Sequence, residues 1–94
     1  MVVVLAACSV ARPPDDATGE EIYALLCHNC HGPQLQGGPL GPSLAAGSNS
    51  ADRPDAFLRF AILRGKGRMP SFDSYLDDDQ VDRLAEYIRE VQRR

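Results

Sequence analysis

Cys27-His28-Asn29-Cys30-His31 is the stretch on which the reading of this 94-residue sequence turns. One helical turn brings Cys27 and Cys30 to the same side of the chain, and an imidazole follows the second thiol directly. Three ordinary roles for such a run can be weighed. A redox-active dithiol of this spacing belongs after a strand in a βαβ unit, and no strand-like alternation occurs in this sequence. A zinc site needs four ligands; Cys27, His28, Cys30 and His31 crowd a single turn, with no second cluster to close a tetrahedron. A disulfide between Cys27 and Cys30 leaves His31 without a purpose.

What remains is C-x-x-C-H, the attachment signature of c-type haem. Both thiols can add to the two vinyl groups of one porphyrin, and His31 can place a ring nitrogen on the iron from the same side. His28 occupies a variable position inside the run and is expected to point away into solvent. The usual sixth ligand is Met or His. Geometry excludes His28, and Met1 is expected to be removed as the initiator. That leaves Met69, in Gly67-Arg68-Met69-Pro70-Ser71-Phe72, where Pro70 pushes Met69 toward extended backbone. Lys66 and Tyr75 are weaker alternatives, and a Met filling a gap in the core is the ordinary reading.

Three helices are legible around this motif. The first starts at Thr18, with Thr18 and Glu21 placed as a capping box, and runs into Cys27. Ile22, Tyr23, Leu25 and Leu26 supply its apolar face. The second covers Pro54–Arg64, with Asp52 or Arg53 as N-cap, an apolar stripe of Phe57, Phe60 and Ala61 ending at Arg64, and Gly65 as the stop. In the last, Asp77 is the N-cap, Gln80 completes a capping box, and Leu76 and Val81 form a hydrophobic staple. Val81, Leu84, Ala85, Ile88 and Val91 follow at helical spacing. Arg89, Arg93 and Arg94 suit the negative end of its dipole. Gly32–Asn49 holds five glycines and three prolines, a poor loop unless it wraps something.

The rest of the sequence narrows the class. The net charge of −3 argues against nucleic acid as the main partner. Three cysteines, two of them in the motif, are not the even pattern of a disulfide scaffold. Met1–Ala7 is apolar and far too short to span a bilayer. Leu5-Ala6-Ala7-Cys8 resembles the lipobox of bacterial lipoproteins, which implies residues 1–8 as a truncated signal segment and a lipidated Cys8 as membrane tether. An ordinary signal peptide cleaved nearby is the alternative; either exports the chain to the periplasm or another extracytoplasmic space. Residues 9–17, with Pro13-Pro14 and Asp15-Asp16, read as a linker, and 18–94 as the domain.

Taken together, these residues resemble a class I mono-haem cytochrome c of the short bacterial type, from about Thr18 to Gln92. The resemblance implies an all-α cytochrome c fold, with three to four helices and long loops wrapped around one covalently bound haem. Cys27-x-x-Cys30-His31-Gly32 resembles the haem-binding motif, and Met69-Pro70-Ser71-Phe72 the loop that supplies the Met ligand. Gly41-Pro42-Ser43-Leu44 resembles the segment whose proline carbonyl accepts the N–H of the iron-bound histidine. That implies a role for Pro42 in orienting His31 and raising its basicity. Gly19, Tyr23, Leu84 and Tyr87 resemble the positions at which the family's terminal helices cross.

The function expected is single-electron transfer through one haem c with His31 and Met69 on the iron, by a protein that is not itself an enzyme. Leu44, Phe57, Phe60, Phe72 and Leu84 are expected to exclude water from the haem. The partners are a redox donor and acceptor. The alternative is a haem c subunit of a larger dehydrogenase or terminal oxidase; a haem enzyme or gas sensor with open iron is disfavoured by Met69. From Arg53 to Arg68 five basic residues face only Asp55, and from Asp73 to Glu90 seven acids face Arg83 and Arg89. A basic rim leading to Met69 could steer an acidic partner, though a solvated surface explains the same run.

Overall fold

The computed structural model describes residues 12–94. Four helices follow one another: α1 (Gly19–Leu26), α2 (His28–His31), α3 (Asp55–Arg64) and α4 (Asp78–Gln92), with a 3-10 turn at Asn49–Asp52. The sole β-type pairing among the described residues is a bridge between Lys66 and Met69. The fold is all-α, as expected. The apolar run, Cys8 and the start of the expected linker lie outside the described residues.

Both expected capping boxes form. The Glu21 N–H donates to Thr18 Oγ1 at 3.1 Å and the Thr18 N–H to Glu21 Oε1 at 2.8 Å. At α4 the Gln80 N–H donates to Asp77 Oδ1 at 2.8 Å and the Asp77 N–H to Gln80 Oε1 at 2.9 Å. Leu76 and Val81 are both buried beside this cap. Some of the orphan donors of α1 and α4 are thereby satisfied before any tertiary contact is counted.

α1 crosses α4 and packs against α2, while α3 packs on α4. Ile22, Leu35, Val81 and Leu84 are fully enclosed, and Tyr23, Leu58, Ile62, Phe72 and Ile88 surround them. At the α1–α4 crossing the Tyr23 and Tyr87 rings lie 5.7 Å apart.

Two readings of the sequence need correction here. The buried face of α3 is Leu58 and Ile62, not the stripe of Phe57, Phe60 and Ala61; Phe60 is 60% exposed. The two stripes lie side by side on one helix, and packing against α4 selects between them. The N-cap is Pro54 rather than Asp52 or Arg53, because Asp52 belongs to the preceding 3-10 turn.

Part of the segment expected as a linker, residues 9–17, lies against the domain. From Pro13 to Ala17 the chain is docked on α4. Gln80 Nε2 donates to the Pro14 carbonyl at 3.1 Å and Arg83 Nη2 to the Asp15 carbonyl at 2.9 Å. Arg83 Nη1 also bonds the Ala17 carbonyl, and Ala17 is buried. The segment turns at Asp15-Asp16, where the Ala17 N–H donates to the Pro14 carbonyl at 3.0 Å, and side chains of α4 supply further donors to its carbonyls.

Candidate functional site

The C-x-x-C-H run occupies the junction of α1 and α2. Cys27 is at once the C-cap of α1, its N–H donating to the Tyr23 carbonyl at 2.9 Å, and the N-cap of α2. The chain turns there without a spacer, and α2 displays the rest of the motif on one short turn. Cys27 is buried and Cys30 exposed, and neither is in a disulfide. Burial, and secondarily the Cys30 sulfur beside it, pushes the Cys27 thiol up to about 12. Cys27 is therefore a neutral thiol at ordinary pH.

His31 is buried, 8% exposed. Its Nδ1 lies 2.8 Å from the carbonyl oxygen of Pro42. A carbonyl can only accept, so Nδ1 carries the proton and Nε2 is left as the ring's lone-pair donor. His28 is half-buried and has no hydrogen bond of its own side chain among the described residues.

Two glycine-dependent approaches hold the Pro42 segment beside the motif. A Cβ on Gly41 would meet the Cys30 carbonyl at 3.0 Å, and one on Gly37 would meet the Ser43 nitrogen at 2.6 Å. Just before them, Leu35 is fully buried with φ of 64°, a left-handed conformation costly for a branched apolar residue. Its carbonyl accepts from the Leu44 N–H at 2.7 Å and from Ser43 Oγ at 3.2 Å. The Gly37 N–H donates to the His31 carbonyl at 2.7 Å. The glycine-rich loop is thus folded back upon the motif.

Met69 sits on a tight turn after α3. Gly65, with φ of 77°, caps the helix, and Lys66 and Met69 exchange backbone hydrogen bonds of 3.1 and 2.9 Å. The Phe72 N–H donates to the Ile62 carbonyl at 2.9 Å, returning the loop to α3. Met69 is half-buried and packs against the core cluster. Of the side chains expected to exclude water, Phe72 and Leu84 are core, Leu44 and Phe57 pack at its edge, and Phe60 stands exposed.

Two residues singled out in the sequence for other reasons hold the site through contacts it did not show. Tyr23 Oη donates to the Gly32 carbonyl at 2.6 Å, tying α1 to the end of the motif. Burial pushes its pKa well above the usual tyrosine value. Arg89, read only as a charge suited to a helix end, reaches across to the chain before α3. It meets Asp55 Oδ1 at 2.9 Å, the Ser50 carbonyl at 3.2 Å and the Arg53 carbonyl.

An all-helical chain with two free thiols and a polarised imidazole on one turn has the architecture of a small class I c-type cytochrome. The chain belongs to the family described as Cytochrome C oxidase, cbb3-type, subunit III, whose model matches residues 14–88. The menaquinol:cytochrome c reductase cytochrome c subunit of Bacillus subtilis is 36% identical over 86 residues, covering 87% of this chain and 32% of that protein. Cytochrome c55X of Paracoccus denitrificans is 34% identical, covering 94% of this chain and 88% of that one. Among solved structures, cytochrome cL of Hyphomicrobium denitrificans superposes with a TM-score of 0.71 at 32% identity, over 79% of this chain and 45% of that one. The chain spans about a third of the length of the Bacillus relative.

The cofactor of such a cytochrome is covalently bound haem c, and the donor set here fits it. Both thiols are free to form thioethers, and His31 has one nitrogen engaged and the other available. No helix among the described residues is long and apolar enough to cross a membrane.

Proposed function

We propose that the protein is a single-electron carrier that binds one haem c through Cys27 and Cys30 and holds its iron between His31 Nε2 and the Met69 sulfur. When bound, haem c supplies an iron that takes up and releases one electron. Cys27 and Cys30 anchor the group to α2, so it stays in register when the loops breathe. His31 would hold the iron through Nε2, and the Pro42 carbonyl would make that nitrogen a stronger donor by accepting a hydrogen bond from Nδ1–H. A thioether from Met69 favours the reduced state, and Phe72 and Leu84 keep water away, with the same effect. His31 and Met69 would hold the group in either state, which would keep reorganisation small. The chain itself transforms no substrate.

The observation that carries this reading is the 2.8 Å contact of His31 Nδ1 with Pro42, which leaves the other ring nitrogen as the lone-pair donor on a turn bearing two unpaired thiols. The test is mass and optical spectroscopy of protein matured with the haem attachment machinery. One haem added in covalent linkage, with a Met-to-iron charge-transfer band that Met69→Leu abolishes, supports it. A colourless product, or a band indifferent to Met69, overturns it.

Its partners on this reading are redox proteins, one donor and one acceptor. Asp55 and Asp82 are taken by Arg89 and Arg59, so Arg53, Arg64, Lys66 and Arg68 are left without an ion-pair partner among the described residues. Lys66 and Arg68 lie on the turn that bears Met69, Arg64 ends α3 just before it, and Arg53 shares the Phe57 ring with Lys66; this favours an acidic docking surface on the partner. Export, with a lipid tether on Cys8, follows from the lipobox-like run; intact-mass analysis of the native N-terminus decides between lipidation and plain cleavage. The short span relative to the Bacillus protein favours a second reading, a haem c module of a larger complex. Recovery as a free red protein from native membranes counts against that; co-purification with a multi-subunit enzyme supports it.

A further inference from the structure

The carbonyl that polarises His31 sits in a loop with ties of its own: the Gly38 N–H donates to the Gly41 carbonyl at 3.0 Å, and Ser43 Oγ to the Leu35 carbonyl at 3.2 Å. Pro42 is exposed and, being proline, has no N–H of its own to anchor. The tie from outside the loop comes at Leu44, which is gripped from both sides. Its N–H donates to the Leu35 carbonyl at 2.7 Å. Its carbonyl accepts from Gln92 Nε2, at the last turn of α4, at 2.7 Å. The orientation of the Gln92 amide is determined by its other end. Gln92 Oε1 lies 2.8 Å from Arg89 Nη1, and a guanidinium can only donate, so the amide NH2 must face Leu44. Arg89 is in turn held by Asp55, Ser50 and Arg53, and its side chain is only 14% exposed.

From this arrangement we infer that Gln92, oriented by Arg89, is a positioning residue for the histidine ligand: it clamps Leu44 and so sets where the Pro42 carbonyl stands against His31 Nδ1. The inference rests on the reading of His31 as the iron's ligand. The clamp runs from Arg89 to Gln92, to the Leu44 carbonyl, along two residues to Pro42, and to the imidazole. Releasing it lets the Pro42–Leu44 segment drift from Nδ1. His31 then keeps its proton more loosely shielded from water and donates less to the iron, which favours the reduced state. α4 would thereby tune the site from the far end of the fold without touching the haem.

The test compares Gln92→Met and Val91→Ala in matured, nitrogen-15-labelled protein. Gln92→Met keeps length and volume but removes the donor. Val91→Ala trims a neighbouring core contact of α4 that has no bond to the loop. In Gln92→Met the His31 Nδ1 proton should exchange with solvent about tenfold faster in the reduced protein. The ratio of reduced to oxidised protein at the wild-type midpoint should rise about threefold, equal to about 28 mV for one electron. Val91→Ala should lower stability yet leave both readouts unmoved. An unchanged exchange rate and ratio in Gln92→Met overturns the inference, as does the same shift in Val91→Ala, which would make the effect one of general loosening. In the wild-type protein, with no substitution, the Gln92 side-chain amide protons should be protected from exchange; rapid exchange there also overturns it. A wild type lacking covalent haem sinks the parent reading and this one with it, whereas a red wild type with indifferent variants sinks this one alone.

Discussion

Gly19 of α1 lies directly against the Arg83 carbonyl of α4: a Cβ built on the glycine would stand 2.2 Å from that oxygen and 2.8 Å from Tyr87 Cβ. No side chain can give way there, because the obstacle is backbone. Two residues 64 positions apart in the chain meet at this point.

Gly19→Ala should therefore force the terminal helices apart and lower the stability of the matured protein by about 2–4 kcal/mol, the upper range for overpacking. Gly47→Ala is the control, since nothing lies within 4 Å of a Cβ there and only its φ of 83° resists. It should cost about 1 kcal/mol. Denaturant melts of both variants check this; equal losses would remove steric exclusion as the role of Gly19.

Met69→Leu should lower the reduction potential by on the order of 0.1–0.3 V, part of the ~0.8 V range that axial ligation spans. It should also open the reduced iron to carbon monoxide. Voltammetry and a carbon monoxide difference spectrum check both, and a wild-type protein that binds carbon monoxide as fast as the variant would deny Met69 the ligand role.

Tyr23 makes alkaline stability a readout of the motif's anchor. Burial raises its folded-state pKa above the unfolded value of about 10. The folded state thus holds the phenolic proton more tightly than the unfolded chain. The stabilisation is fully present below pH ~10 and is lost progressively above it. Tyr23→Phe should cost about 1 kcal/mol at neutral pH through the Gly32 hydrogen bond. It should also flatten the part of the alkaline decline that wild type shows. Parallel declines above pH ~10 would assign that loss to other groups.

Reversing the charges on the Met69 side, with Arg64→Glu and Arg68→Glu, should slow electron transfer from an acidic donor about tenfold or more at low ionic strength. The difference should fade as added salt shortens the screening length. Rates that ignore the reversals at low salt would leave the basic rim as a solvated surface.

Removing both thiols, with Cys27→Ala and Cys30→Ala, should leave a poorly folded chain, since haem supplies apolar surface that so small a domain lacks. Circular dichroism decides, and native-like helicity with a cooperative melt would refute the expectation.

Much of this protein was legible in its residues. Caps at Thr18 and Asp77, the stop at Gly65 and the C-x-x-C-H turn depend on neighbours within four positions, so local chemistry settles them. The Met69 turn is of the same kind. The periodicity of α4 likewise marked Val81, Leu84 and Ile88 as core. The resemblance to class I cytochromes further anticipated the meeting of Pro42 with His31 and the close crossing at Gly19.

Other features were decided only when distant segments met. The composition of α3 offers two adjoining stripes, and the sequence favours the more aromatic one; packing on α4 buries Leu58 and Ile62 instead. Pro13–Ala17 has the composition of a tether, yet Gln80 and Arg83 dock it from across the chain. Arg89 and Gln92 look like the polar end of a helix, but they grip carbonyls 36 to 48 positions away. A backbone carbonyl is the same acceptor at every residue and leaves no trace in the sequence. Which carbonyl a long polar side chain finds is therefore fixed by tertiary geometry, whereas caps, glycine turns and the haem motif are written in residue types that only one local conformation satisfies.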